Sequence, residues 1–314
     1  NRGLGMDKEL LTWLETYTFP EEAKFSDPDY ARLVYGAFVQ DLWRNGTTRS
    51  ILFGTIHKES TLVLMELLQK AGLSAYVGKV NMDRNSPDFL IEETNQSLVD
   101  TKEWLEKSVP FGPLVKPIIT PRFVPSCTSE LMSGLGKLAE EYNVPIQSHL
   151  SENHGEIDWV ASLHPESPNY TDVYYEHHLM GTMPTVMAHC IHLSDVEMDR
   201  MAETQTMVSH CPYSNVNLSS GIAPIRKLIE RNIPIDLGSD ISGGHIVSMA
   251  KVLTEAIGLS KMKWVEVDKN YAPLTLSEAF YLATEGGGQF FRHVGSFEKG
   301  YELDGLIIDD TYVF

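Results

Sequence analysis

Histidine and acidic residues stand at the ends of several short apolar runs of this chain, where each run gives way to polar sequence. His149 and Glu152 close one run, His189 the next, His210 a third and Asp240 a fourth. Zinc binds nitrogen and oxygen ligands, and an open position on the ion lowers the pKa of a bound water to about 7. A nearby glutamate can then carry protons between water, substrate and leaving group. These residue types in this order indicate metal-assisted hydrolysis.

Each of these residues alone also has an ordinary structural explanation. A single buried histidine is usually a core residue with a satisfied hydrogen bond, and an aspartate before Gly-rich sequence, as at Asp240, usually caps a turn or a helix. His189 lies in an otherwise apolar run, where a charged ring is costly without a partner. His192, three residues further on, is predicted to lie in a loop. The catalytic interpretation therefore depends on His149, His189 and Asp240 occurring together at strand ends.

The intervening sequence predicts the elements that would position these groups. Seven runs pass from apolar or β-branched residues into polar ones and predict β-strands at 46–54, 75–83, 115–123, 145–150, 185–190, 205–211 and 234–240. Apolar residues recur at helical spacing between them, as in 60–70 and Ser129–Tyr142. Alternating strands and helices favour parallel βα units, and no Gly-rich phosphate loop points to a doubly wound sheet. We therefore expect an α/β fold, a (β/α)8 TIM-type barrel with its catalytic groups at the C-terminal strand ends.

The domain organisation follows from where this alternation begins and ends. The first strand of such a barrel, expected before residue 46 with metal ligands of its own, has no counterpart in the sequence. Near Gly295 the alternation stops, and a turn followed by a strand is predicted. We assign residues 1–294 to a metal-dependent barrel that holds strands two to eight. Residues 295–314 are assigned to the start of a C-terminal return into a small β-domain, the remnant of a β-sandwich.

The composition is that of an enzyme domain with an acidic surface. The chain has 314 residues, 42% of them hydrophobic, and a net charge of -18 from 43 acidic and 25 basic side chains. Such a surface repels phosphate backbones, which argues against nucleic acid as a partner. No apolar run approaches the length of a membrane span, and no signal sequence is visible. The three cysteines follow no paired spacing, so we expect a reducing, cytoplasmic location.

The full set of motifs resembles a known family. His149, Glu152, His189 and Asp240, with the segment 209–215, resemble the deaminase branch of the amidohydrolase superfamily and, more closely, the guanine deaminase family. Similar segments run through nearly the whole chain, at 13–20, 45–48, 77–83, 116–123, 147–153 and 238–240. The segment Thr120-Pro-Arg-Phe123 discriminates best, because histidine and aspartate ligands are shared across the superfamily whereas the Arg-Phe pair is the guanine-binding feature.

The resemblance implies hydrolytic deamination of guanine to xanthine and ammonia in purine catabolism, with one Zn²⁺ per subunit and Fe²⁺ as the alternative metal. It assigns His149 and Asp240 as metal ligands, with His189 as a further candidate. A zinc-activated water attacks C2 of guanine, and Glu152 carries protons to a ring nitrogen and to the departing amine. Asp240 also orients the water as a base, and His189 hydrogen-bonds the water or the tetrahedral intermediate.

The chemistry of the substrate agrees with the Arg-Phe pair. Guanine is a planar, uncharged purine with acceptors at O6 and N7, which the guanidinium of Arg122 can engage bidentately while the ring of Phe123 packs against its face. His149, Glu152 and Asp240 are expected to contact the same substrate. Without the neighbouring motif, an arginine in a surface ion pair beside a core aromatic would be the default explanation.

One departure from the family and two alternatives remain open. Members carry a His-x-His pair at the end of strand one, and no His-x-His occurs in this chain. Two protein ligands of an expected four bind zinc weakly, so we expect a fragment of a guanine deaminase, cut at both ends and inactive alone, whose intact form is a homodimer. The alternatives are another deaminase or chlorohydrolase of the superfamily, acting on a pterin, cytosine or a triazine, and a non-catalytic paralogue that lacks the metal pair.

Overall fold

Strands and helices alternate along the chain in the computed structural model, which describes residues 2–309. The strands are β1 (Arg49–Phe53), β2 (Ser74–Gly78), β3 (Val80–Asn81), β4 (Val115–Pro117), β5 (Thr120–Pro121), β6 (Ile146–Leu150), β7 (Thr185–His189), β8 (Met207–His210) and β9 (Ile235–Leu237). The helices are α1 (Leu10–Trp13), α2 (Phe19–Ala23), α3 (Pro28–Arg44), α4 (Lys58–Ala71), α5 (Thr94–Ser108), α6 (Ser129–Tyr142), α7 (His154–Leu163), α8 (Tyr170–Glu176), α9 (Asp195–Thr204), α10 (Pro212–Asn217), α11 (Ile225–Glu230), α12 (Met249–Met262) and α13 (Leu276–Tyr281).

All seven predicted strands are confirmed, and two of them are interrupted. The run 75–83 forms β2 and β3, broken at Lys79, and the run 115–123 forms β4 and β5, broken at Ile118 and Ile119. Every strand pairing is parallel, in the orders β1-β2-β4, β3-β5 and β6-β7-β8-β9. A bridge between Ile119 and Ile146 joins the first group to the last. The result is the sheet of a TIM-type barrel, with all the C-terminal strand ends on one side.

The barrel is open between β1 and β9. Within residues 2–309, no strand pairs with the free edge of either one. The assignment of these strands as barrel strands two to eight stays a prediction. Unpaired strand edges present a row of free N–H and C=O groups, so this seam is the part of the sheet that is open to another strand.

Helices cover the outer face of the sheet because parallel strands must be buried on both faces. Helix α6 illustrates the local reason: the Thr128 side chain accepts from the Leu131 amide at its start, and Asn143 adopts a left-handed conformation at its end. Its apolar face, which includes Leu131 and Leu135, is fully buried in the main core. Among the described residues no helix is both long and apolar enough to cross a bilayer.

A second apolar cluster covers the C-terminal ends of the strands. It is formed by residues of the N-terminal helical segment 10–23, of β3 and of the strand-end loops, namely Leu10, Trp13, Leu14, Phe19, Val80, Met82, Leu90, Phe123 and Leu218. We call the segment 10–23 the roof. Since its apolar side chains pack on the loops that follow β3 and β5, the roof closes one side of the space above the barrel.

The strand predicted after Gly295 is not formed in the described residues. Residues 302–309 carry no strand, and a strand requires a backbone partner that this segment does not find. It is tied down instead by side chains, because Arg49 donates to Asp304 over 2.8 Å and to Glu302 over 2.5 Å. Residues 310–314 lie outside the described part, and the domain boundary between 294 and 295 stays a prediction.

Candidate active site

The strand ends bring four predicted residues together. His149 lies near the end of β6 with Glu152 just beyond it, His189 ends β7, and Asp240 follows β9. Glu152 Oε2 is 3.3 Å from His189 Nε2, and Asp240 Oδ2 is 4.0 Å from the same nitrogen. The rings of His149 and His189 stack with their centroids 5.5 Å apart. Residues that are up to 91 positions apart in sequence therefore meet around one imidazole.

These residues line one large cavity, of about 1230 Å³, together with Arg122 and Phe123. The cavity extends beyond the strand ends into the open seam, since Leu52 of β1 and Asp236 of β9 also line it. Ligand sites usually enclose roughly 300 to 1,000 Å³, so a purine occupies only part of this space. The candidate catalytic and substrate-binding side chains line the part of the cavity beside His149 and Arg122.

The backbone is strained where the catalytic candidates sit. Ser151, His189, Cys190 and Asp240 have φ values of +50°, +72°, +51° and +46°, in the left-handed region that non-glycine residues rarely occupy. Such strain costs about 1 to 3 kcal/mol per residue and is concentrated at functional sites. It turns the chain sharply at the end of a strand, and two of these residues, His189 and Asp240, line the cavity.

His149 is held as a neutral imidazole. Its Nδ1 lies 2.6 Å from the carbonyl oxygen of Arg122, so Nδ1 carries the proton and donates, and Nε2 keeps its lone pair. Burial, together with the nearby His189, lowers the pKa of His149 to about 3. Its own carbonyl accepts from the hydroxyl of Tyr174 over 2.8 Å, which fixes the main chain at this point. A neutral imidazole oriented by a carbonyl is the form that binds metals.

Glu152 is a buried carboxyl that is poised near neutrality. Its side chain is 3% exposed, and burial raises its pKa to about 7, against a smaller opposing effect of His189. The hydroxyl of Ser220 donates to its Oε1 over 3.1 Å. A carboxyl whose pKa lies near the working pH is suited to both accept and donate protons in one reaction.

His189 faces the carboxylates of Glu152 and Asp240. Its Nδ1 lies 2.9 Å from Asn215 Oδ1, which fixes Nδ1 as a donor and leaves Nε2 towards Glu152. Burial opposes its positive charge, but the carboxylates of Glu152 and Asp240 outweigh burial and raise its pKa. A hydrogen bond between His189 and Glu152 therefore requires one proton on either partner.

Arg122 and Phe123 stand at the rim of the same space, directly after β5. Arg122 Nη1 donates to Glu22 Oε2 over 2.6 Å, and its guanidinium lies over the ring of Phe19 at 5.1 Å. Phe123 is 6% exposed and meets the edge of Trp159, with ring centroids 6.5 Å apart. The structure thus brings the predicted substrate-binding pair to the cavity that contains the predicted catalytic residues.

The described residues supply only part of a metal site. The neutral His149 and the carboxylate of Asp240 are nitrogen and oxygen donors of the kind that zinc takes. Among residues 2–309, however, no group of three or more histidine, cysteine or acidic side chains is arranged to hold a metal ion. The donor types fit zinc, whereas the number of donors that the described residues bring together is too small for a complete zinc site.

Sequence reasoning missed several residues that hold the site in place. Glu156 is fully buried, accepts from the backbone amides of Glu152 and Asn153, and accepts from the hydroxyl of Tyr170. The available signal was its spacing from Asn153, since the two form a capping box at the start of α7. Asn215 fell within a segment compared with the family, but its contact with His189 required the fold.

The two other histidines named in the sequence analysis, His192 and His210, lie elsewhere. His192 lies in a loop, as predicted, and its Nε2 lies 2.7 Å from the carbonyl oxygen of Ser220. His210 ends β8 and is buried, with burial lowering its pKa to about 3. His210 does not line the cavity, whereas its neighbours Ser209 and Cys211 do. A position at a strand end was therefore not enough to bring a histidine into the site.

Comparison with known proteins agrees with this geometry. The sequence matches the amidohydrolase family over residues 1–313. It is 48% identical over 313 residues to the guanine deaminase of Dictyostelium discoideum, covering 98% of this chain and 69% of the relative. A guanine deaminase from C. acetobutylicum, solved with guanine bound in its active site, superposes with a TM-score of 0.94 and 55% identity over 96% of this chain and 72% of that one.

A more distant structure shares the fold alone. An adenosine deaminase from Xanthomonas campestris with bound zinc is 22% identical and superposes with a TM-score of 0.82, over 96% of this chain and 66% of the other. The high identity to guanine deaminases thus stands apart from the general likeness of the barrel. The chain belongs to the amidohydrolase family and, within that family, to the guanine deaminases.

Proposed function

We propose that the protein containing this chain hydrolyses guanine to xanthine and ammonia. The observation that carries the proposal is the shared cavity of Arg122, Phe123, His149, Glu152 and Asp240, which joins a purine-recognition pair to a proton-transfer group. The relative that superposes best among those described binds guanine in its active site. Family membership places the reaction in the class of hydrolytic deaminations.

Guanine would be recognised from its oxygen-bearing edge. The guanidinium of Arg122 donates to O6, and the ring of Phe123 packs against the purine face. Adenine presents an amine instead of an oxygen at the same position, which leaves N–H donors of Arg122 unpaired in a site with little access to water. A site built to hydrogen-bond one group rejects an analogue that lacks it by as much as about 10⁴-fold.

Proton transfer falls to Glu152. Its carboxylate accepts one proton from the attacking water and passes it to a ring nitrogen as oxygen bonds to C2. It then accepts the second proton from the hydroxyl on C2 and passes it to the amine, which leaves as ammonia when the C2–N bond breaks. While Glu152 is a carboxylate, His189 carries a proton on Nε2, 3.3 Å from Glu152 Oε2. This N–H can hydrogen-bond the attacking water or the tetrahedral intermediate and stabilise its negative charge. Asp240, 4.0 Å from the same nitrogen, orients the water from the other side.

Zinc is the metal we propose, with His149 and Asp240 as the two ligands that this chain contributes and His189 as a further candidate. When bound, the ion would lower the pKa of the attacking water. The neutral state of His149, whose pKa is lowered to about 3, supports its role as a ligand. The zinc in the adenosine deaminase of the same fold supports the choice of metal, with Fe²⁺ as the alternative.

We further propose a cytoplasmic location and a homodimeric assembly. The three cysteines are free and buried, which supports a reducing compartment. The dimer is proposed from the family resemblance.

A substrate panel tests the function. The full-length gene product, loaded with zinc, is assayed for ammonia release from guanine, adenine, cytosine, a pterin and a triazine. Turnover of guanine with little turnover of the others is expected. Preferred turnover of another heterocycle would replace guanine in the proposal. Absence of any turnover and of metal binding would instead favour the non-catalytic paralogue.

A further inference from the structure

The guanidinium of Arg122 is fixed by a carboxylate that lies 100 positions earlier in the chain. Glu22, in helix α2 of the roof, accepts from Arg122 Nη1 over 2.6 Å. The two side chains are 18% and 11% exposed, so the ion pair is largely shielded from water. A shielded pair is screened less and held more firmly than a surface pair.

Two further contacts restrict the same group. The ring of Phe19 lies 5.1 Å from the guanidinium carbon, and the sulfur of Met82 lies 3.8 Å from Nη1. Phe19 comes from the same helix as Glu22, and Met82 comes from the loop after β3. Nη1 is thus occupied, while Nε and Nη2 of Arg122 have no hydrogen-bond partner in the part of the chain that the structure describes. Those N–H groups are the ones left for a ligand.

The main chain of Arg122 is tied to the catalytic side of the site. Its carbonyl oxygen lies 2.6 Å from His149 Nδ1 and also accepts from the hydroxyl of Ser148 over 3.1 Å. The backbone of Arg122 is therefore set by the barrel, whereas the direction of its long, flexible side chain is set by the roof. Arginine presents its donors in a rigid fork, so a rotation of the guanidinium misaligns all of them at once.

We infer that Glu22 is a positioning residue that determines specificity for a 6-oxo purine by holding the free N–H groups of Arg122 towards O6. The inference rests on the proposed function, since it assumes that Arg122 faces O6 of guanine. O6 is remote from C2, where the bond to the amine breaks. Interactions made equally in the ground state and the transition state alter KM more than kcat. Loss of Glu22 should accordingly raise KM for guanine.

The test compares guanine with 2-aminopurine, which carries the same amine at C2 but no oxygen at C6. In the full-length, metal-loaded protein, Glu22→Ala is expected to lower kcat/KM for guanine by about 10- to 100-fold, mainly through KM. The inhibition constant of 2-aminopurine against guanine should change by less than about threefold. Glu22→Gln, which keeps an oxygen acceptor for Arg122, should retain more of the preference for guanine over 2-aminopurine than Glu22→Ala does.

Two controls separate positioning from general damage. Glu21→Ala removes the adjacent carboxylate, which pairs with Lys24 at 2.6 Å instead of with Arg122. It should leave kcat/KM for guanine and the inhibition constant of 2-aminopurine unchanged. In an Arg122→Ala background, adding Glu22→Ala should have no further effect on the ratio of the two constants. Equal losses for guanine and 2-aminopurine, or no loss for either, would overturn the inference. Wild-type protein that does not deaminate guanine would overturn the proposed function itself.

Discussion

Replacing Glu152 by glutamine is expected to stop turnover while leaving the fold and the metal in place. The amide has the shape of the carboxylate, and its oxygen can still accept from the hydroxyl of Ser220. It cannot accept or release a proton. The substitution therefore removes the proton transfer and little else.

The size of the effect follows from the two transfers assigned to this one group. A positioned general acid or base contributes about 10² to 10⁴ in rate, which corresponds to roughly 3 to 5 kcal/mol in the barrier. Because Glu152 is buried and both proton transfers are assigned to it, the loss should lie near the upper end of that range. Binding of guanine should persist, since Arg122 and Phe123 are untouched.

The pH profile supplies a second readout. Burial raises the pKa of Glu152 to about 7, and below its pKa the carboxyl is protonated and cannot accept a proton from water. Activity should therefore fall as the pH falls through this value. A cation bound beside it would lower the pKa, which places the acid limb at or below pH 7. The residual activity of Glu152→Gln should lack this limb.

The assay is guanine-dependent ammonia release by the full-length protein at several pH values, with zinc content measured on the same samples. Glu203→Gln changes an exposed glutamate that pairs with Arg200 on its own helix; it is the matched control and should behave as wild type. If Glu152→Gln retains activity within tenfold of wild type, or keeps the acid limb, Glu152 is not the proton carrier and the mechanism is wrong.

Three further outcomes are expected. His149→Ala should bind zinc more weakly than wild type while Glu152→Gln keeps it, and equal zinc contents in metal analysis would rule out His149 as a ligand. The wild-type protein should favour guanine over adenine by as much as about 10⁴-fold, and Arg122→Ala should remove most of that ratio by weakening guanine alone; an unchanged ratio in a purine panel would show that another group reads the base. The chain of residues 1–314 by itself should show no guanine-dependent ammonia release and should self-associate, because the edges of β1 and β9 have no strand partner among the described residues; a monomeric, active sample on a sizing column would contradict this.

The sequence was sufficient for the repeating architecture. Strand and helix positions follow from local periodicity and from the short polar segments that end each strand, and these signals do not depend on distant residues. The seven predicted strands are all present for this reason. Parallel pairing then places their C-terminal ends on one side, so the convergence of His149, His189 and Asp240 was implied before any contact was known.

Where a strand needed a partner from elsewhere, local sequence was a poor guide. A strand was predicted after Gly295, yet residues 302–309 form none. Strand formation is a pairing event, and the propensity of a segment does not say whether a second edge will reach it. The side chains of that segment pair with Arg49 instead.

Only the tertiary structure decided how the site is tuned and oriented. The pKa of Glu152 rises to about 7 because surrounding elements exclude water from it, and burial cannot be read from a local motif. The contact between Glu22 and Arg122 joins residues 100 positions apart, through a roof segment whose sequence gives no sign of where it will dock. The sequence determines which residue types are available for catalysis and binding, whereas packing determines the distances between them and their access to water.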